Sequence, residues 1–256
     1  MDVKRLFARS LVVTSAIALY CAGPIHAGAP LPIGDARLRD SRAPASEPNI
    51  SGVWQVRGAG LRIVPVGGGD PPWKPWAKQV FLDRAEDEKR GVTRWDPTGA
   101  CYGSGVPRIF TAGYLTEIIQ TENKILWIYE SQHVWRVIHM NAKLPAKLEH
   151  NIRGYSVGHW EGDTLVVETA GLSRKGQIDE RGTMMTDHTK IVERIRLVGN
   201  QLENTFTIID PTAYDKPWTA QRMFNYVGDQ RLAEYVCEEN NRNVPGPDGK
   251  FITIIK

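Results

Sequence analysis

Histidine, methionine and cysteine are scarce in this chain of 256 residues, at six, five and three. That scarcity weakens the case for a metal centre and leaves only an unspecific three-ligand set of His133, His188 and a carboxylate. No H-E-x-x-H occurs, and the only close histidine pair on one predicted strand face is His133 with His139. The cysteines are too few for a thiolate site. Organic cofactors leave no trace either. Gly67-Gly68-Gly69 has neither the lysine nor the following helix of a phosphate-cradling loop, and no nucleotide or flavin fingerprint appears. An excess of one charge is also missing. The formal net charge is +3, of which Lys4, Arg5 and Arg9 against Asp2 supply +2 within the first residues. The remaining chain carries no basic field suited to nucleic acid. A long apolar run is absent too: Leu11 to Gly23 is too short to span a bilayer.

That short run, with its basic flank and Ile25-His26-Ala27 behind it, reads as a secretory signal peptide over residues 1–27. Cys21 raises a lipoprotein alternative, but Tyr20 before it is too bulky for such a site. Residues 28–49 are rich in Ala, Pro, Asp and Arg with no apolar period, a flexible lead-in to one domain over residues 50–256. The expected location is the periplasm or the exterior, with no membrane span in the mature chain. Two cysteines then remain, Cys101 and Cys237. An even pair in an oxidising compartment suggests a disulfide, with two buried free thiols as the alternative.

One helix is predicted, Pro75 to Arg90, with Trp76, Val80 and Phe81 at helical spacing and Gly91 as its stop. Almost everything else alternates with period two. Strands are expected at Ile50–Val56, Leu115–Gln120, Lys124–Glu130, His133–His139, Arg153–Trp160, Thr164–Thr169, Lys190–Val198, Gln201–Asp210, Trp218–Val227 and Leu232–Val236. Tight turns at Glu161-Gly162-Asp163 and Gly199-Asn200 join neighbours, and polar loops at 140–152 and 171–187 separate others. Successive antiparallel strands must bury one face and dispose of their edges. A mainly β, up-and-down, lipocalin-like barrel with one helix near its N-terminus does both; a β-sandwich is the alternative.

Several motifs, taken together, resemble an uncharacterised family of secreted bacterial proteins. They are Tyr129-Glu-Ser-Gln-His-Val-Trp-Arg136, Gly154-Tyr-Ser-Val-Gly-His-Trp-Glu-Gly-Asp-Thr-Leu-Val-Val-Glu-Thr169, Glu193-Arg194 and Asp210-Pro211…Tyr214…Pro217-Trp218. The family pattern runs C-x-P-x-G-x-P-R, E-x-x-H-x-W-R, S-x-G-x-W-E-G-D-T, D-P-x-x-Y-x-x-P-W and a late cysteine. The likeness covers roughly residues 50–239. It departs at Gly103, where the pattern has proline, and at Asn141-Ala-Lys143, where D-G-R is common. It implies export and shared ancestry and brings no activity with it. Cys101 and Cys237 both match cysteines of the pattern, which adds weight to the disulfide.

Polar residues on otherwise apolar strand faces mark the candidate site. Ile191, Glu193, Ile195 and Leu197 share a face, as do Val134, Arg136 and Ile138, and an acid placed inside needs a partner. Glu193 with Arg136 or Arg194 is either an internal salt bridge or part of a site. An acid–base set drawn from His133, Arg136, Tyr155, Asp179, His188 and Glu193 would suit a non-redox lyase, isomerase or hydrolase. Trp127, Trp135, Phe206 and Trp218 would wall a pocket for a small apolar or aromatic molecule. Glu161 and Asp163 are assigned to turn chemistry. Three functions follow: a periplasmic small-molecule enzyme with an apolar barrel pocket, a carrier that binds without reaction, and an envelope interaction module. Nothing in the sequence specifies an oligomeric state.

Overall fold

The computed structural model describes residues 44, 46–93, 95–228, 230–240, 243–245 and 251–253. The expected leader and most of the lead-in lie outside them. Nine strands close into a barrel in sequence order: β1 (Gly52–Val56), β2 (Leu115–Gln120), β3 (Lys124–Tyr129), β4 (Trp135–Met140), β5 (Tyr155–Glu161), β6 (Thr164–Ala170), β7 (Lys190–Val198), β8 (Gln201–Ile209) and β9 (Trp218–Tyr226). The predicted lipocalin-like barrel is the observed architecture, and its strand limits agree within a residue or two almost throughout. Leu232–Val236 is an exception, being non-strand. The barrel has already closed when β9 pairs with β1, so no edge remains for that segment.

Closure imposes a rule on direction. With nine strands alternating up and down, the first and last would run the same way. Here β1 and β9 are antiparallel, so one junction elsewhere must be parallel. It is β4–β5, paired only through Ile138–Ser156, His139–Val157 and Met140–Gly158. The expectation of a purely antiparallel barrel is corrected at this seam. Residues 141–154 supply the reversal. Asn141, at φ 54°, donates its amide to the Gly158 carbonyl (2.7 Å), and the segment then runs back to start β5. A parallel connection cannot be a tight turn, which is why this loop is long.

Period-two alternation sends Trp54, Ile118, Trp127, Ile138, Val167, Ile195, Leu202, Phe206 and Phe224 inward, all nearly inaccessible. The rings pack as a cluster. Trp127 stacks on Tyr129 (centroids 5.6 Å) and meets Phe224 edge-on (5.9 Å). Phe110 reaches the same cluster from outside the sheet, on a 3₁₀ turn at Arg108–Thr111. It stacks on Trp127 (6.0 Å) and meets Phe206 edge-on (5.3 Å).

Helix α1 (Pro75–Lys89) starts with proline, whose fixed φ suits the first turn. The predicted face is corrected. Ala77 is its buried residue and Phe81 stacks on Trp73 (4.8 Å), whereas Trp76 is 42 % exposed. Arg181 holds the 171–189 loop to the helix through both Glu88 carboxylate oxygens (2.6 and 2.7 Å). Beyond the barrel come α2 (Cys237–Asn240) and a two-stranded ribbon of β10 (Asn243–Pro245) and β11 (Phe251–Thr253). Cys237 is joined to Cys101 (Cα–Cα 5.6 Å), which ties α2 to the loop before β2. Among the described residues no helix is long and apolar enough to cross a membrane.

Candidate functional site

The barrel interior contains a polar cluster set among rings. Arg136 on β4 donates from Nη2 to Glu193 Oε2 at 2.7 Å, and Asn204 Nδ2 on β8 donates to Glu193 Oε1 at 2.9 Å. Both carboxylate oxygens are therefore engaged. Arg194, the other partner considered for Glu193, points outward by the alternation of β7 and bonds Glu161 (2.9 Å). The Arg136 guanidinium also lies 5.7 Å from the Phe110 ring centre and 5.5 Å from that of Trp127, so its faces are covered by cation–π contacts. Burial by itself opposes the charge on Arg136, but Glu193 and Tyr129 reverse the balance and hold the guanidinium above its usual basicity. Tyr129, fully enclosed, is pushed well above the phenol range, chiefly by burial. It remains a neutral O–H donor.

Hydrogen bonding around this cluster is incomplete. Arg136 Nε and Nη1 and Trp127 Nε1 are buried donors with no partner; Asn204 Oδ1 is an unpartnered acceptor, and Tyr129 Oη, also unpartnered, can do either. The imbalance is toward donors. Leaving such groups unpaired away from water typically costs about 1–3 kcal/mol each.

Among the described residues, Arg136 and Glu193 are the members of the predicted acid–base set that the structure brings together. His133 belongs to a 3₁₀ turn at Ser131–His133, and β4 begins only at Trp135; the predicted strand start is corrected by this turn, and the His133 side chain lies outside the described residues. Tyr155 stands on the outer barrel face, stacked parallel on His139 (4.6 Å, 4°). His188 is exposed. Asp179 is fully enclosed in the 171–189 loop, where it accepts from the amides of Ile63, Arg181 and Thr183 and from the Thr183 hydroxyl (2.9–3.1 Å). Burial raises its pKa and these four bonds oppose the rise. It organises a loop. The pocket-wall residues divide likewise. Trp127 and Phe206 are inside, Trp218 is buried against Tyr214 (5.6 Å), and Trp135 is 49 % exposed with Arg153 over its ring (4.6 Å).

The outward residues of these motifs converge at the parallel seam. Trp135, His139, Asn151, Arg153 and Tyr155 line a cleft of about 220 Å³ where β4 and β5 diverge. The other motifs are hubs of the fold. Arg108 grips Asp96 bidentately (2.7 and 3.0 Å) and reaches Gln177 (2.9 Å). Asp210 accepts from the amides of Thr186, Thr212 and Ala213 and from the Thr189 hydroxyl. Sequence reading passed over Asn204 as a partner and Phe110 as a plug. The first was visible in the apolar row of β8, whereas the second sits in a segment with no periodicity. Among the described residues no group of three His, Cys, Asp or Glu side chains is placed to hold a metal ion.

No family model and no curated protein matches this sequence. Similar solved structures include a fatty acid binding protein of Schistosoma mansoni in complex with arachidonic acid (12 % identity, 71 % of this chain and 98 % of that one, TM-score 0.35). A secretary abundant heat soluble protein from Ramazzottius varieornatus is also similar (13 %, 73 % and 100 %, TM-score 0.34). Likenesses this remote say nothing about ligand or activity; the closed barrel rests on its own strand pairings.

Proposed function

We propose that this chain is an exported, non-catalytic binder of a small apolar or aromatic molecule. The ligand's carbonyl or carboxylate head would sit against Arg136. The donor surplus around Arg136 carries this reading. Unpaired N–H and O–H groups belong to neighbouring side chains, Arg136, Trp127 and Tyr129, in a low-dielectric interior, and an acceptor-bearing head is the complement they call for. Glu193 argues against acid–base chemistry, because Arg136 and Asn204 already occupy both its oxygens.

The interior is closely filled, with Trp127, Phe206, Glu193 and Asn204 at 0 % exposure. A ligand must therefore replace something. Phe110 is the side chain suited to yield, since a short 3₁₀ turn carries it rather than a strand laddered on both sides. In this reading Phe110 fills the ligand's seat beside Arg136.

The test uses full-length protein and isothermal titration with dodecanoate and 4-phenylbutanoate, together with native mass spectrometry of periplasmic material for a co-purified molecule. Phe110→Ala opens apolar space next to Arg136 and should tighten binding of at least one acid. The paired change R136M/E193M, which leaves no lone buried charge, should abolish it. Absence of binding by Phe110→Ala, or unchanged binding by the paired variant, rejects the proposal.

A further inference from the structure

A second cleft, remote in character from the barrel cluster, lies between helix α1, the loop before β2 and the 171–189 loop. Its volume is about 320 Å³, within the range of small-molecule sites, and its wall includes Arg84, Trp95, Tyr102, Arg174, Lys175 and Gln177. Among the described residues no carboxylate contributes to that wall. Arg174 is neutralised from outside it by Asp187 (Nε–Oδ2 2.6 Å). Arg84 and Lys175 have no such partner: among the described residues neither forms a carboxylate ion pair.

Arg84 is held in place by other means. Its Nη1 donates to the Gly182 carbonyl at 2.7 Å, and its guanidinium centre lies 5.5 Å from the Trp95 ring centre. Gly182, at φ +76°, lets the loop approach this closely; a Cβ there would lie 2.8 Å from both Arg84 Cδ and Trp95 Cζ3. At the cleft Gln177 donates from Nε2 to the Trp95 carbonyl (2.9 Å) and accepts from Arg108 (2.9 Å), while Arg108 is itself ion-paired with Asp96 (2.7 Å). This network is thus fixed and internally neutral. Burial depresses the basicity of Arg84, and the charge of Asp96 only partly offsets this. Tyr102, 42 % exposed, adds an aromatic wall next to the Cys101–Cys237 bridge.

We infer that this cleft binds a planar aromatic carboxylate, its ring against Trp95 and Tyr102 and its charge between Arg84 and Lys175. The arrangement combines a cation held in place, an exposed cation and flat apolar surface with no carboxylate among the described lining residues, and each feature selects for part of such a ligand. The inference does not depend on the barrel reading.

Three probes separate the contributions: naphthalene-2-carboxylate, its neutral carboxamide, and acetate. Titration of the full chain, read by saturation-transfer NMR and calorimetry, should show binding of the naphthalene carboxylate. Binding of the carboxamide should be at least about tenfold weaker, and acetate should give no measurable signal. Affinity should fall as salt is raised. Arg84→Gln should weaken binding by about tenfold or more. Lys175→Gln, on an exposed side chain with little bearing on folding, should weaken it severalfold. R136M/E193M should leave it unchanged, which distinguishes this cleft from the barrel. Equal affinity for carboxylate and carboxamide overturns the inference. So does full affinity in both the Arg84 and Lys175 variants, or sensitivity to the barrel pair alone.

Discussion

Arg136 and Glu193 meet at 2.7 Å across 57 residues of sequence, with 2 % and 0 % of their side chains exposed. Enclosure makes the pair asymmetric in its consequences. Attraction between the two charges offsets a large desolvation cost, so the pair adds little net stability, while loss of one member strands the other. Arg136→Met should destabilise the fold by about 3–5 kcal/mol. R136M/E193M should recover much of that loss, and R136M/E193M/N204L more, because Asn204 then no longer lacks its acceptor. Urea unfolding midpoints test the order. A single Arg136→Met variant as stable as wild type would mean that the pair is not sealed from water.

Asp96 and Arg108 give a pH-dependent counterpart. Burial works against the Asp96 carboxylate, but hydrogen bonds and charge from Arg108, with help from Thr98, outweigh it and hold the pKa below the ordinary aspartate value. A depressed carboxylate contributes stability that is complete above its unfolded pKa, about 3.9, and lost as pH falls through the folded value. Wild type should exceed Asp96→Asn in stability at pH 6, and the difference should shrink steadily on acidification from about pH 5 to pH 2. A gap that stays constant over that range excludes this linkage.

The Cys101–Cys237 bridge closes a loop with a sequence separation of 136 residues. Its removal frees a large part of the unfolded chain. C101S/C237S should cost about 2–4 kcal/mol, measured against wild type in the absence of reductant. Dithiothreitol should lower the wild-type midpoint toward that of the variant and leave the variant where it is.

Gly105 shows where a single methyl group cannot be accommodated. A Cβ there would lie 2.1 Å from the Ile152 carbonyl oxygen, the same oxygen that accepts from the Val106 amide (3.0 Å). The loop before β2 is thus pressed on the crossover that feeds β5. Gly105→Ala should cost about 2 kcal/mol or more. At Gly60 the nearest atom is 3.9 Å away and φ is ordinary, so Gly60→Ala should be neutral or stabilise by up to about 1 kcal/mol. Thermal unfolding of the two variants side by side decides the matter.

Much of this architecture is local and was therefore readable. Period-two alternation in Lys190–Val198 and Gln201–Ile209, joined at Gly199-Asn200, requires only the pleat and a turn that accepts positive φ. The same alternation places Arg136 and Glu193 among apolar neighbours, so both are inward whatever the rest of the chain does. The sequence also suggested a Cys101–Cys237 bridge, with free thiols as the alternative, and the fold joins the two. Tertiary closure decided the remainder. Nine strands with antiparallel ends demand one parallel junction, yet only the folded chain shows that it falls at β4–β5, because nothing within residues 141–154 encodes direction. The partner of Glu193, the scattering of Tyr155, Asp179 and His188, and Phe110 as plug depend on which distant segments meet. Those meetings are set by how the whole sheet curves and closes, a property no local window contains.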